Sequence, residues 1–240
     1  MALRKIRIDN KTFDISYEIL NRDKERDLIV LHGWGSNKEL MIGAFGKFMK
    51  NFRHIYIDLP GFGKSSNAYS LTTNDYYNII ERFLKELDIK KEIIIGHSFG
   101  GKVALLLNPK LLVLLSSAGI LTKKSLKTRA KIAVFKALKP FGGENLYKLF
   151  ATKDVEGMSK NMYETLKNVV DEDFSENFKN FKNKALIFWG KEDTATPIES
   201  GKKISSLIEN SLFYPMEGDH YFFLKHSKKI SEKIEEHSKK

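Results

Sequence analysis

Two stretches at the start of the chain, Leu3 to Asp9 and Thr12 to Ile19, alternate polar and apolar residues. Alternation puts one set of side chains on each face of an extended backbone. The Asp9-Asn10 pair between them predicts a tight turn and so an opening β-hairpin. The rhythm then changes. Short, mainly apolar runs at Leu28–Leu31, His54–Ile57, Ile93–Ile95, Leu111–Leu115, Ala185–Trp189 and Leu212–Tyr214 have the length and composition of buried strands. Helix-like segments fill most of the gaps, at Lys38–Lys50, Thr73–Leu87, Gly100–Leu107, Pro197–Ile208 and His220–His237. Buried strands alternating with helices predict an α/β fold with a mostly parallel sheet covered on both faces, joined by right-handed crossovers.

One interval breaks this rhythm. Between Ile120 and Lys184 no run reads as a strand. There Leu126, Ala130, Ala133, Val134, Ala137 and Leu138 share one helical face, which ends before Pro140 and the Gly142-Gly143 pair. The interval reads as a helical insertion over one end of the sheet. No internal repeat, low-complexity linker or second core accompanies it.

Composition narrows the class. A chain of 240 residues has room for one sizeable core, and 42% hydrophobic residues with 12% aromatics argue against disorder. Cysteine is absent, which removes both a disulfide framework and a thiolate nucleophile. No continuous apolar leader follows Met1-Ala2-Leu3-Arg4-Lys5. The longest apolar run, Leu111–Leu115, falls far short of the roughly 18 residues of a membrane span. These features predict a cytoplasmic protein with no transmembrane segment. The formal charge of +11 is carried mainly by lysine. Lysine lacks the planar fork that pairs with phosphate and guanine, so the charge reads as a solubility feature and nucleic acid is not an expected partner.

The chemistry begins at Gly96-His97-Ser98-Phe99-Gly100, a G-x-S-x-G sequence followed at once by Gly101. Ile93-Ile94-Ile95 predicts a strand entering it, and Lys102 to Leu107 a helix leaving it. A serine on so sharp a turn sits in a strained backbone, and the flanking glycines remove side chains that would collide there. Ser98 also lies at a helix N-terminus, which favours developing negative charge. Serine requires a base and an acid. Strand Ala185–Trp189 leads to Asp193, and strand Leu212–Tyr214 leads to His220, so all three side chains leave the same end of the sheet. Ser98, His220 and Asp193 are therefore the expected catalytic residues.

Competitors are weaker. Glu192 points to the other side of its turn, and Asp219 is badly placed to grip the far nitrogen of its neighbour His220. His54 begins a strand, His226 and His237 are expected to be solvated, and His97 is expected to point away from the nucleophile. An oxyanion hole requires two preorganised N–H donors. Phe99 supplies one, and the loop His32-Gly33-Trp34-Gly35 supplies the other from Trp34, whose indole walls the substrate pocket together with Phe99.

Five motifs stand in order: His32-Gly33-Trp34-Gly35, Asp58-Leu59-Pro60-Gly61-Phe62-Gly63-Lys64-Ser65, Gly96-His97-Ser98-Phe99-Gly100-Gly101, Trp189-Gly190-Lys191-Glu192-Asp193 with Pro197, and Gly218-Asp219-His220. Together they resemble the α/β-hydrolase superfamily, from about Leu28 to about His220. The resemblance implies an eight-stranded, mostly parallel sheet with helices on both faces. It implies a core of residues 1–119 and 185–240 and a helical cap of 120–184. Where some relatives carry the acid one strand earlier, this chain has Ser116-Ser117-Ala118-Gly119, which favours Asp193. Asp219 departs from the small neutral residue usual before the histidine and bears on the pH optimum. The Asp58 segment is a structural loop beside the pocket.

The expected activity is hydrolysis of a carboxylic ester through an acyl-enzyme. The alternatives are carbon–carbon bond hydrolysis on the same triad and ligand binding with a vestigial triad. The residue type at position 98 argues against the aspartate-nucleophile branches of the family. Between Gly119 and Gly143 stand Lys123, Lys124, Lys127, Arg129, Lys131, Lys136 and Lys139, with no acidic residue. They form a solvated face or a docking patch for an acidic carrier protein or anionic surface. No cofactor and no metal are expected.

Overall fold

The computed structural model describes residues 1–121 and 158–238. The apolar stripe from Leu126 to Leu138 and the basic run from Lys123 to Lys139 lie outside the described residues. The hairpin forms as the alternation predicts. Strands β1 (Ala2–Ile8) and β2 (Lys11–Leu20) pair antiparallel around a turn in which Asp9 takes φ +50°. The remaining strands are β3 (Asp27–Leu31), β4 (Arg53–Ile57), β5 (Ile93–His97), β6 (Leu111–Leu115), β7 (Lys184–Gly190) and β8 (Ser211–Met216). They complete an eight-stranded sheet in the order β1-β2-β4-β3-β5-β6-β7-β8. β2 also pairs antiparallel with β4, and the other pairs are parallel.

β3, β5 and β6 are buried along their whole length, which is why they read as nearly continuous apolar runs rather than alternations. Their successive residues feed two layers. Ile29, Leu31 and Ile94 pack with Ile79, Phe83, Val103 and Ile204, while Leu28, Val30, Ile93 and Ile95 pack with Met41, Phe45, Ile230 and Ile234. The helices supplying these residues are α1 (Lys38–Phe45), α2 (Thr73–Glu86), α3 (Phe99–Leu106), α6 (Ile198–Leu207) and α7 (Phe223–Ser238), with α4 (Lys160–Val169) and α5 (Ser175–Asn180) between α3 and α6. Each isoleucine so buried contributes about 2 kcal/mol.

Two helix boundaries differ from expectation. α1 stops at Phe45, not Lys50, because the chain tightens after Gly46, with Phe48 N–H on Phe45 O and Met49 at φ +47°. α7 begins at Phe223, not His220. A turn in which Phe222 N–H donates to Asp219 O leaves His220 outside the helix. In the expected cap interval, Met162, Val169, Phe174 and Phe178 join the core layer of α2 and α3. No described helix is long and apolar enough to cross a membrane.

Parallel pairing has a direct consequence for the site. The chain leaves β3, β5, β7 and β8 at one edge of the sheet, bringing residues 32–34, 98–99, 191–196 and 217–221 together there.

Candidate active site

Ser98 stands alone between β5 and α3, with φ +50° and ψ −115°. A residue with a Cβ pays on the order of 1–3 kcal/mol to sit there, so surrounding structure must hold it. Its N–H donates to Leu115 O at 3.0 Å, and its carbonyl accepts from Gly101 N at 3.0 Å and Ala118 N at 3.1 Å. The glycines allow close approach. A Cβ on Gly96 would lie 2.5 Å from Gly100 O, one on Gly100 2.5 Å from His32 O, and one on Gly101 2.2 Å from Ser117 Oγ. Phe99 opens α3, so its N–H has no partner within the helix.

The loop after β3 runs against Ser98. A Cβ on Gly33 would lie 3.1 Å from Ser98 Cβ. Trp34 follows, its ring packed edge-on against Phe62 at 4.8 Å and Phe99 at 5.7 Å, and Tyr76 meets Phe99 at 4.9 Å. This loop is clamped at both ends. His32 Nε2 accepts from Leu59 N–H at 3.0 Å. At the other end Asp58, fully buried, accepts from Lys38 N–H and Lys38 Nζ, each at 2.7 Å, and from Lys64 N–H at 3.0 Å. Asp58 thus has the structural role read for its segment. The buried ammonium facing it had no sequence signal beyond a lysine at the start of a helix.

Asp193 and His220 meet as the chain order predicts. His220 Nδ1 lies 2.7 Å from Asp193 Oδ2. The other carboxylate oxygen accepts from Ala195 N–H at 2.9 Å and Thr196 N–H at 2.8 Å, and Thr196 Oγ1 donates to Oδ2 at 2.9 Å. Burial by itself would raise the Asp193 pKa, but the His220 and Thr196 hydrogen bonds outweigh it and hold the carboxyl below the usual carboxylate range. An ionised Asp193 fixes the hydrogen of His220 on Nδ1 and leaves Nε2 as an acceptor. The two supporting loops are stitched together, with Glu192 accepting from Gly218 N–H at 2.6 Å and Lys191 N–H donating to Met216 O. Asp219 accepts from Tyr221 N–H at 2.8 Å.

Two neighbours escaped the sequence reading, and a third was weighed there and set aside. Thr196 could have been found from the Asp-x-x-Thr spacing, because an aspartate on a turn accepts N–H groups two and three residues on. Lys102 sits in an apolar helix, and its buried ammonium donates to Glu172 at 2.7 Å and to Val169 O, tying α3 to the end of α4. His97 is the third. Its ring lies 4.7 Å from that of His220, so it belongs to the site rather than standing apart from it. His226 and His237, expected to be solvated, are partly exposed and also have partners. His226 contacts Glu217 O at 2.8 Å, and His237 lies between Lys184 Nζ and Tyr214 OH.

His32, His54 and His97 are all buried, and burial lowers the pKa of each; His97, with the nearby His220 adding to the effect, is pushed down to about 3. An unfolded chain takes up protons at these histidines near pH 6.5 while the folded one does not, so stability is lost as pH falls. His97 alone accounts for about 1.4 kcal/mol per pH unit between roughly pH 6.5 and 3. Asp58 and Asp193, held low, add to the loss only below about pH 3.9. Urea midpoints at pH 7, 6, 5 and 4 should fall steadily, and His97→Gln should flatten the slope by one proton. An unchanged slope would mean that His97 is already protonated in the native state.

Residues 28–110 match a family described as the alpha/beta hydrolase fold. The chain is 26% identical over 254 residues to the uncharacterized hydrolase YugF of Bacillus subtilis, covering 89% of each protein. Over 78 residues it is 35% identical to the pimeloyl-[acyl-carrier protein] methyl ester esterase of Pectobacterium carotovorum, a match covering 32% of this chain and 29% of that enzyme. Among solved structures, an esterase from Exiguobacterium antarcticum superposes with a TM-score of 0.76 at 23% identity, covering 98% of this chain and 99% of the other.

Proposed function

The chain belongs to the α/β-hydrolase superfamily, and within it we propose that it is a serine hydrolase acting on carboxylic esters. The observation that carries this reading is the 2.7 Å contact of His220 with a buried, fully hydrogen-bonded Asp193, on the sheet edge where Ser98 is held at positive φ. Ser98 Oγ attacks the ester carbonyl while His220 Nε2 takes its proton. The N–H groups of Phe99 and Trp34 receive the oxyanion. The tetrahedral intermediate collapses with loss of the alcohol, which receives the proton from His220, and leaves an acyl-Ser98. His220 then activates water, and a second collapse releases the acid. Trp34, partly exposed and packed on the buried rings of Phe62 and Phe99, is the aromatic side chain placed to meet an apolar acyl group.

An acyl chain on acyl carrier protein is one form such a substrate takes. That form is named for the Pectobacterium relative, and the lysine-rich run between Gly119 and Gly143 offers the complementary charge. The test is hydrolysis of p-nitrophenyl esters from acetate to long chains, with a carrier-linked methyl ester alongside. Turnover with an initial burst supports the acyl-enzyme. A carrier-linked rate that falls with salt supports docking by charge. No turnover of any ester would overturn the reading and redirect the triad to carbon–carbon bond cleavage.

A further inference from the structure

His97 ends β5, immediately before the nucleophile, and is 1% exposed. Its Nε2 lies 3.1 Å from the carbonyl oxygen of His220. A carbonyl only accepts, so Nε2 carries the hydrogen. The ring packs 4.7 Å from the His220 ring, with Phe223 at 4.8 Å and Tyr221 at 5.2 Å. On its other edge Nδ1 is buried with no hydrogen-bond partner among the described residues, 2.8 Å from where a Cβ on Gly33 would stand. One imidazole therefore touches the turn that carries the base and the loop that carries Trp34.

Packing alone does not account for such a residue. Leucine or phenylalanine would fill the space without leaving a buried nitrogen unsatisfied, a condition that costs stability. What those residues lack is a donor for the His220 carbonyl. We propose that His97 is a positioning residue. By donating Nε2–H to the His220 carbonyl and filling the gap to Gly33, it sets the His220 imidazole relative to Ser98 for proton transfer. The inference rests on the serine-hydrolase reading through Ser98 and His220, not on the identity of the ester. The charged and titratable groups acting on the ring are His220, Asp193 and His32, and burial with the neighbouring His220 keeps it neutral. When His220 becomes an imidazolium, it meets an uncharged ring rather than a second cation.

The test uses the rate at which a serine-directed fluorophosphonate labels the enzyme. Ser98 Oγ bonds to phosphorus, fluoride leaves, and His220 takes the hydroxyl proton. His97→Gln places an amide N–H where Nε2 stands, whereas His97→Asn reaches only the Nδ1 position and His97→Phe keeps the ring without a donor. Labelling of the Asn and Phe variants should slow by about 10- to 100-fold, the scale of a small misplacement of reacting groups. The Gln variant should stay close to wild type. With an ester substrate the loss should appear in kcat and leave KM unchanged. Thermal melts identify any variant that fails to fold, and the Gln–Asn comparison stands if the Phe variant does. Asn labelling as fast as wild type, or Gln as slow as Asn, would overturn the proposal. Wild-type labelling that survives Ser98→Ala would instead overturn the triad reading, and this inference with it.

Discussion

Ser98→Ala should lower ester turnover by about a million-fold, the scale on which a triad serine acts together with its base. The size follows from the proposed mechanism. Without Oγ there is no acyl-enzyme, His220 has no proton to accept from a nucleophile, and only the oxyanion donors and substrate binding remain. The fold should be nearly indifferent. Alanine keeps a Cβ at φ +50°, and the bonds from Ser98 N to Leu115 O and from Gly101 and Ala118 to Ser98 O are all backbone. Steady-state rates on p-nitrophenyl esters, read beside a thermal melt, decide the matter. A variant that folds and keeps one per cent of wild-type activity would remove Ser98 from the chemistry.

Asp193→Asn should cost about 10⁴-fold in kcat with little change in KM. The asparagine oxygen can still accept from Ala195 and Thr196 N–H, so the turn survives. Its amide nitrogen, however, faces His220 Nδ1, and two N–H groups cannot share one hydrogen bond. Relief comes when His220 moves its hydrogen to Nε2, which then cannot accept the proton of Ser98. The loss should persist at every pH where the wild type is active, because no titration restores the acceptor. Rates across pH 6 to 9 for the variant and wild type test this. A variant recovering wild-type rate at high pH would show that Asp193 acts by charge alone and not by selecting the tautomer.

The site was legible in the sequence wherever local geometry restricts residue choice. Gly96, Gly100 and Gly101 mark the turn at Ser98 because any Cβ there would meet backbone or Ser117 within 2.5 Å. Asp193 and His220 were legible because each stands just past a strand, and parallel strands deliver the loops at their carboxyl ends to one edge; β7 is buried as its apolar run predicts, whereas β8, expected to be buried, is the partly exposed edge strand with Leu212 facing out. The strands themselves were visible because β3, β5 and β6 are buried on both faces and are apolar apart from Asp27 and His97 at their ends. His97 offered no such signal. A histidine beside Ser98 has no periodicity to betray it, and its partner carbonyl lies 123 residues away. Lys38 with Asp58 and Lys102 with Glu172 are hidden for the same reason, since their partners lie 20 and 70 residues away.

By itself the sequence determined the fold and pointed to the proposed nucleophile and the chain order of its proposed partners, because each is written in spacing along the chain: apolar runs, glycines two residues either side of a serine, candidate residues just past strand ends. Only the tertiary structure decided which polar side chains hold that machinery in place. Those choices depend on burial and on hydrogen bonds between distant segments, and neither quantity exists until the sheet has brought the segments together.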